Sequence, residues 1–169
     1  MPMDIADHLD WFENHVRAKI SACSRDAGPL ELKRVHTGHV LDNARRIAAV
    51  EDFSPQIRRA TLLAALYHDL SRFDQYLEYG TFKDRDSRNH GSWSVQLMRR
   101  HGRLEGETPQ IRRLCLVAVG LHNRLGLPAG LTLEERTVAN AVRDADKIDI
   151  TAVMAAHLAV RPYNPRKPI

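Results

Sequence analysis

Apolar residues recur at steps of three and four along most of the chain, which is the period of an amphipathic α-helix. The first such stretch is the clearest, and its apolar face carries Ile5, Leu9, Phe12, Val16 and Ile20. Together with capping and helix-breaking residues, this period predicts helices at 4–22, 30–50, 55–69, 90–101, 109–123 and 133–158. Residues 70–89 and 159–169 lack the pattern, so we expect a long polar connection and an irregular tail there.

These elements predict one all-α domain that covers residues 1–169. No segment shows a convincing alternation of apolar and polar residues, which a half-buried strand would require. A length of 169 residues with 43% hydrophobic residues suits one core rather than two. The expected architecture is therefore a single bundle of about six helices.

Composition and charge exclude several classes of protein. No run of about 18 apolar residues occurs, so we expect no membrane partner. The acidic N-terminal stretch lacks the features of a signal peptide, which predicts a cytoplasmic protein. The net charge of +4 mildly favours an anionic partner, but nucleic acid is disfavoured because no dense Lys/Arg stripe with interleaved aromatic residues occurs. Cys23 and Cys115 form no CxxC motif, so neither a disulfide scaffold nor a thiolate zinc site is indicated.

Ionisable residues occupy helix positions where apolar residues are expected. They are His36, His68, Asp69, His122 and Asp146. His36, for example, lies one turn from both Leu32 and Val40. Asp146 similarly lies one turn from Val142 and Ile150. The pattern therefore predicts that several polar side chains from separate helices point into one core.

The chemistry of these residues favours a shared metal ion. A buried carboxylate is costly unless it is paired or bound to a metal. Imidazole nitrogens and carboxylate oxygens are natural ligands for a borderline divalent cation. The alternative for each histidine taken alone is a hydrogen-bonded core residue, and Asp146 alone could pair with Arg143 or Lys147. The set as a whole favours the metal interpretation.

The order of these residues along the chain is informative. His36 opens the stretch HTGHVLDNARRIA, His68 and Asp69 lie together in ALYHDLSRF, and Asp146 lies in RDADKIDI. In this order the sequence resembles the HD-domain superfamily of metal-dependent phosphohydrolases. The stretches RFDQYLEYGTFKDRDSRNHG and LHNRLGLPAGLT make it most similar to small stand-alone bacterial HD proteins. The resemblance covers about residues 31–150.

The resemblance implies a metal centre with four protein ligands. They are His36, His68, Asp69 and Asp146. Nitrogen and oxygen ligands without thiolate favour Mn²⁺, Fe²⁺, Co²⁺, Ni²⁺ or Zn²⁺ over Mg²⁺. His90 and His122 match histidines that hold a second metal in some branches and contact substrate or support the ligands in others. We expect one ion, with two as the alternative if Asp69 bridges them.

Two positions depart from the family pattern, and both adjoin expected ligands. Ser71 stands where a glycine is usual after the HD pair, which could alter the turn. His39 replaces a commonly basic residue one turn after His36, where it could approach the site or simply pack.

The implied reaction is hydrolysis of a nucleotide or another small phosphate ester by water activated at the ion. Asp69 would hold the water or accept its proton, and Arg72 and Lys147 would stabilise the phosphoryl group. Further candidates for substrate binding are Lys83, Arg88, Tyr79 and Arg143. The alternative function is a non-catalytic module that binds or senses a nucleotide with the help of a metal. The pattern leaves room for a homodimer.

Overall fold

The computed structural model describes residues 3–160, with side chains described up to residue 151, and contains no strand in that range. Its helices are α1 Ile5–Ser21, α2 Gly28–Val50, α3 Pro55–Tyr67, α4 Ser71–Tyr79, α5 His90–Arg100, α6 Pro109–Leu121 and α7 Leu133–Val160. The predicted all-α class is therefore confirmed, and each predicted helix is present. The predicted irregular tail lies, from residue 161 onward, outside the described residues. None of the described helices is both long and apolar enough to cross a membrane.

The prediction of a long polar connection at 70–89 is wrong in its first half, because Ser71–Tyr79 forms helix α4. The inward face of α4 carries Ser71 and Gln75, which are buried and hydrogen-bonded instead of apolar. Because these inward positions are polar, the spacing of apolar residues does not show the helical period. The helix ends at Gly80, whose φ of 68° is a left-handed conformation that glycine adopts readily.

Helix α3 lies at the centre of the bundle, in contact with α1, α2, α6 and α7. It begins at an N-cap, Ser54, whose side chain accepts a hydrogen bond from the backbone N–H of Ile57, and Pro55 occupies its first turn. Its last two turns are buried on nearly every face, through Leu63, Ala64, Ala65, Leu66 and Tyr67. A helix that is apolar all round belongs in the interior. The residues that follow α3 are therefore delivered into the core.

Two residues that the helical spacing places on inward faces are instead exposed, namely Leu32 (62%) and Ile150 (44%). The buried face of α2 is centred near Leu30, and two further residues rotate Leu32 by about 200°, to the opposite side. His36 lies at the edge of the buried face, on the side that meets α7. His36 is nevertheless buried, as predicted, because α7 covers this edge and not because His36 shares a face with Leu32.

Candidate metal centre

Side chains from α2, α7 and the segment after α3 meet at one point. His36 Nε2 lies 3.0 Å from Asp146 Oδ1 and 3.8 Å from Asp69 Oδ2. His68 Nε2 lies 3.6 Å from Asp69 Oδ2 and 3.9 Å from Asp146 Oδ1. The structure thus brings together the four residues expected to bind the ion. We call them the first cluster.

A second cluster forms on the other side of Asp69. Its Oδ1 atom lies 3.6 Å from His90 Nε2 and 3.7 Å from His122 Nε2. The two Nε2 atoms are 3.0 Å apart. We call Asp69, His90 and His122 the second cluster. In each cluster the ligand atoms of Asp69 and two histidines lie within 4.8 Å of one another, so Asp69 offers one oxygen to each.

Two of the histidines are oriented by backbone carbonyls. His68 Nδ1 donates to the carbonyl oxygen of Ala65 at 2.7 Å, and His122 Nδ1 donates to that of Val119 at 2.8 Å. A carbonyl only accepts, so Nδ1 carries the proton in both rings and the Nε2 of each neutral ring has a free lone pair. In both cases that lone pair faces the cluster.

The other two histidines are oriented by carboxylates. His36 Nδ1 lies 2.6 Å from Asp149 Oδ2, and His90 Nδ1 lies 2.7 Å from Asp84 Oδ2. Metal-ligating histidines commonly donate their second ring N–H to a carboxylate or carbonyl, which fixes the tautomer and the ring orientation. All four histidines of the two clusters therefore have the support that metal ligands require.

Protonation states in the centre suit metal binding. Burial lowers the pKa of His68 and of His90 to about 4, so both rings are neutral at pH 7. Burial alone would raise the pKa of Asp69, but Lys33 and the neighbouring imidazoles hold it well below its usual range. Burial lowers the pKa of His36, but the neighbouring carboxylates Asp146, Asp69 and Asp149 raise it above its ordinary value because they stabilise the charged ring.

Two buried features fit a cation and are unfavourable without one. His68 Nε2 is fully buried and has no hydrogen-bond partner among the described residues. In the second cluster, a neutral His90 that donates Nδ1–H to Asp84 presents its Nε2 lone pair to Arg72 Nη2, 3.2 Å away, and to the lone pair of His122 Nε2, 3.0 Å away. Positive charge between these nitrogens would relieve the repulsion. The residues present therefore fit divalent cations with nitrogen and oxygen ligands.

Two basic side chains flank Asp69, one on each oxygen. Lys33 Nζ lies 2.8 Å from Oδ2. Arg72 Nε lies 3.4 Å from Oδ1, and Arg72 Nη2 lies 3.2 Å from His90 Nε2. Both cations also approach the ring of Phe82, at 5.7 Å for Lys33 and 5.8 Å for Arg72. Positive charge therefore borders both clusters, as an anionic substrate would require.

Short-range packing at the start of α5 sets the position of the second cluster. Ser71 Oγ donates to the carbonyl oxygen of His90 at 2.8 Å, which ties the start of α4 to the start of α5. A Cβ atom on Gly91 would lie only 3.1 Å from the carbonyl oxygen of Val119, so glycine lets α5 approach α6 closely. The serine at position 71 thus begins a helix and positions the backbone of His90.

Five of the predicted catalytic or substrate-binding residues form no hydrogen bond or ion pair with either cluster within the described part of the chain: Lys83, Arg88, Tyr79, Arg143 and Lys147. The guanidinium of Arg88 lies 4.3 Å from the ring centroid of Trp93, and Tyr79 packs edge-on against the same ring. Arg143 donates to two carbonyls of the connection between α6 and α7. The side chains of Lys83 and Lys147 are exposed.

Sequence reasoning missed three residues that contact the ligands: Asp149, Lys33 and Asp84. The carboxylate of Asp149 binds His36 Nδ1 and also His39 Nδ1, the latter at 2.7 Å. Helical spacing carried a signal for it, since it lies seven residues after Val142 on the buried face of α7. Lys33 likewise lies one turn before His36. Asp84 lies in a stretch of sequence without a helical or strand period, so no pattern indicated that it would contact a ligand.

A protein-family model described as HD domain matches residues 35–154, well over half of the chain. The chain therefore belongs to the HD-domain family, whose members are largely metal-dependent hydrolases of small phosphorylated substrates. The matched region contains all ligands of both clusters. Comparisons with curated proteins and with solved structures gave no match.

Proposed function

We propose that this protein is a phosphohydrolase that cleaves a nucleotide or another small phosphate ester with the help of bound divalent transition-metal ions. The observation that carries the proposal is the position of Asp69. Each of its oxygens faces the Nε2 atoms of two histidines, at 3.6–3.8 Å. This arrangement, inside an HD domain, is suited to holding two cations that share one carboxylate.

The first cluster would hold one ion, and the second cluster would hold another. The ligand set favours Mn²⁺, Fe²⁺, Co²⁺, Ni²⁺ or Zn²⁺, because imidazole nitrogens outnumber oxygens and Mg²⁺ prefers oxygen. Bound there, such an ion supplies a Lewis acid that acidifies water and polarises a phosphoryl oxygen. The structure supports a second ion more strongly than the sequence did, because His90 and His122 face Oδ1 of Asp69, the oxygen that does not face the first cluster.

The protein's own groups would orient the reactants. Asp69 has a pKa well below its usual range, so its carboxylate stays ionised. It is therefore better suited to accept a hydrogen bond from water than to retain a proton taken from it. Arg72 is held in place by Asp84 at 3.0 Å and by the carbonyl oxygen of Phe82 at 2.6 Å. A guanidinium fixed in this way is preorganised to stabilise a phosphoryl oxygen near Oδ1 of Asp69.

The substrate class follows from the access and charge of the centre. The Asp69 side chain is only 4% exposed, so a small phosphoryl group rather than a broad macromolecular surface would reach it. Basic residues on both sides of Asp69 match an anionic group. A nucleotide is the specific substrate we propose, on the basis of the family resemblance.

The test is an assay of metal-loaded protein on nucleoside mono-, di- and triphosphates and on a simple phosphomonoester, with His68→Ala alongside. We expect metal-dependent release of phosphate or pyrophosphate by the wild-type protein and loss of that activity in His68→Ala. Turnover that is unchanged in His68→Ala would contradict the proposal. Tight nucleotide binding without turnover would instead support the non-catalytic sensing module.

A further inference from the structure

Lys33 reaches the most buried carboxylate of the centre from helix α2. Its Nζ atom lies 2.8 Å from Asp69 Oδ2, the oxygen that also faces His36 Nε2 and His68 Nε2. The Lys33 side chain is 22% exposed, whereas that of Asp69 is 4% exposed. The ammonium group therefore enters the first cluster from its more accessible side.

An ion in the first cluster would compete with this ammonium for the same oxygen. Both are cations, and at such short separation in a poorly solvated site their repulsion is strong. Asp69 is the sole hydrogen-bond partner of Lys33 Nζ among the described residues. A lysine has a flexible four-carbon stem, so its ammonium can move away while the backbone of α2 stays in place.

Arg72, the cation on the other oxygen, is held differently. Its guanidinium is fixed by Gln75, Asp84 and the carbonyl oxygen of Phe82. These contacts all hold its Nη1 atom, so Arg72 has less freedom to move away from Asp69 than Lys33 has. Lys33 lacks such contacts, but its Nζ atom is 5.7 Å from the centroid of the Phe82 ring, which the Arg72 guanidinium also approaches at 5.8 Å. A short displacement toward this ring would move the ammonium off Asp69 and keep it next to an aromatic face.

We propose that Lys33 is a phosphate-binding residue that pairs with Asp69 in the metal-free protein and turns to the phosphoryl group of the substrate once an ion is bound. This inference rests on the proposed function. It adds Lys33 to the residues that bind the substrate, and it makes the role of Lys33 depend on the bound ion. Lys33 thereby weakens metal binding and strengthens anion binding. A purely structural ion pair would do neither.

The test compares Lys33→Gln, which removes the charge, with Lys33→Arg, which keeps it. The matched control is Lys19→Gln, which breaks the ion pair between Lys19 Nζ and Asp74 Oδ1 (2.5 Å). Lys19 is 28% exposed, against 22% for Lys33, and neither Lys19 nor Asp74 forms a hydrogen bond or ion pair with a cluster residue among the described residues. The first readout is the affinity of metal-free protein for Zn²⁺, by competition with a chelator. We expect about tenfold tighter binding in Lys33→Gln, because the competing cation is gone. Lys33→Arg and the control should stay within about twofold of wild type.

The second readout is the affinity of metal-loaded protein for inorganic phosphate, by calorimetry. We expect Lys33→Gln to bind phosphate about tenfold to a hundredfold more weakly, the usual value of a charge-assisted hydrogen bond. The inference requires both changes, and an unchanged or weakened Zn²⁺ affinity, or an unchanged phosphate affinity, overturns it. If the wild-type protein still hydrolyses a phosphate ester, the proposed function stands despite that result. If the wild type binds no divalent ion, both fail together.

Discussion

The two clusters share Asp69 but differ in the charge and support of their other members. The first cluster has a second carboxylate, Asp146, and its remaining ligands come from long helices and the buried end of α3. The second has Asp69 as its single carboxylate, and Arg72 lies 3.2 Å from His90 Nε2. Its histidines come from the start of α5 and the end of α6. More negative charge and no adjacent fixed cation should make the first cluster the tighter metal site.

The comparison also separates two roles for one type of residue. The histidines inside the clusters are buried and have oriented lone pairs that face a carboxylate. His15, which is half-buried, instead packs against aromatic rings. Its ring stacks on Trp11 at 4.7 Å, and burial lowers its pKa to about 4, as at His68. A low pKa alone therefore does not identify a ligand.

The largest expected effect comes from a ligand of the first cluster. His68→Ala should lower metal affinity by more than about a hundredfold, because it removes a ligand rather than a group that supports one. His15→Ala is the control, since it removes an equally perturbed histidine outside both clusters. Metal titration of the two variants checks this prediction. Equal metal affinity in both variants would show that His68 is a buried core residue and not a metal ligand.

The second prediction concerns the weaker site. His90→Ala should lower the bound metal from two ions per chain to one and reduce turnover by about tenfold or more, while the first cluster keeps its ion. Metal analysis of dialysed protein and a steady-state assay measure the two effects. A variant that loses both ions together would show that the clusters do not bind metal separately.

A smaller effect is expected from the carboxylate behind the first cluster. Asp149→Asn removes the charge of the carboxylate that orients His36 and leaves one oxygen where His36 and His39 each have one, so metal affinity should fall about tenfold to a hundredfold. Asp144→Asn changes an exposed acid on the same helix and should leave the affinity unchanged. Chelator competition can resolve this difference. The role of Asp149 would be refuted by equal affinities in the two variants.

The smallest effect concerns the histidine outside the clusters. Because the pKa of His15 is about 4 in the folded protein against 6.5 for an ordinary histidine, the unfolded chain binds more protons between these values. The free energy of unfolding contributed by His15 is therefore fully present above pH 6.5 and declines as the pH falls toward 4. In the metal-free protein, His15→Gln should lose less stability than wild type between pH 7 and 4.5. Urea unfolding at both pH values measures the loss of stability. An equal loss in His15→Gln and in the wild type would contradict the lowered pKa of His15.

Sequence periodicity located every helix except α4, and most residues of the two clusters, because both depend on local spacing. His68 and Asp69 follow two helical turns that are buried on nearly every face, so their burial could be read directly. Ser71 and Gln75 hid helix α4, because their hydrogen-bond partners are distant in the sequence. The contacts of Lys33 likewise depend on how α2 and the end of α3 pack, which apolar spacing does not encode. Where the side chains of Arg88 and Tyr79 lie is decided by Trp93, a neighbour that only the fold supplies.

The central claim is that one carboxylate, Asp69, serves two ions. Counting bound metal in wild-type protein and in Asp69→Asn after saturation and removal of excess ion tests it most directly. The account predicts about two equivalents in the wild type and loss of both in the variant, since each cluster loses its shared oxygen. An Asp69→Asn variant that keeps the metal content of the wild type would contradict it.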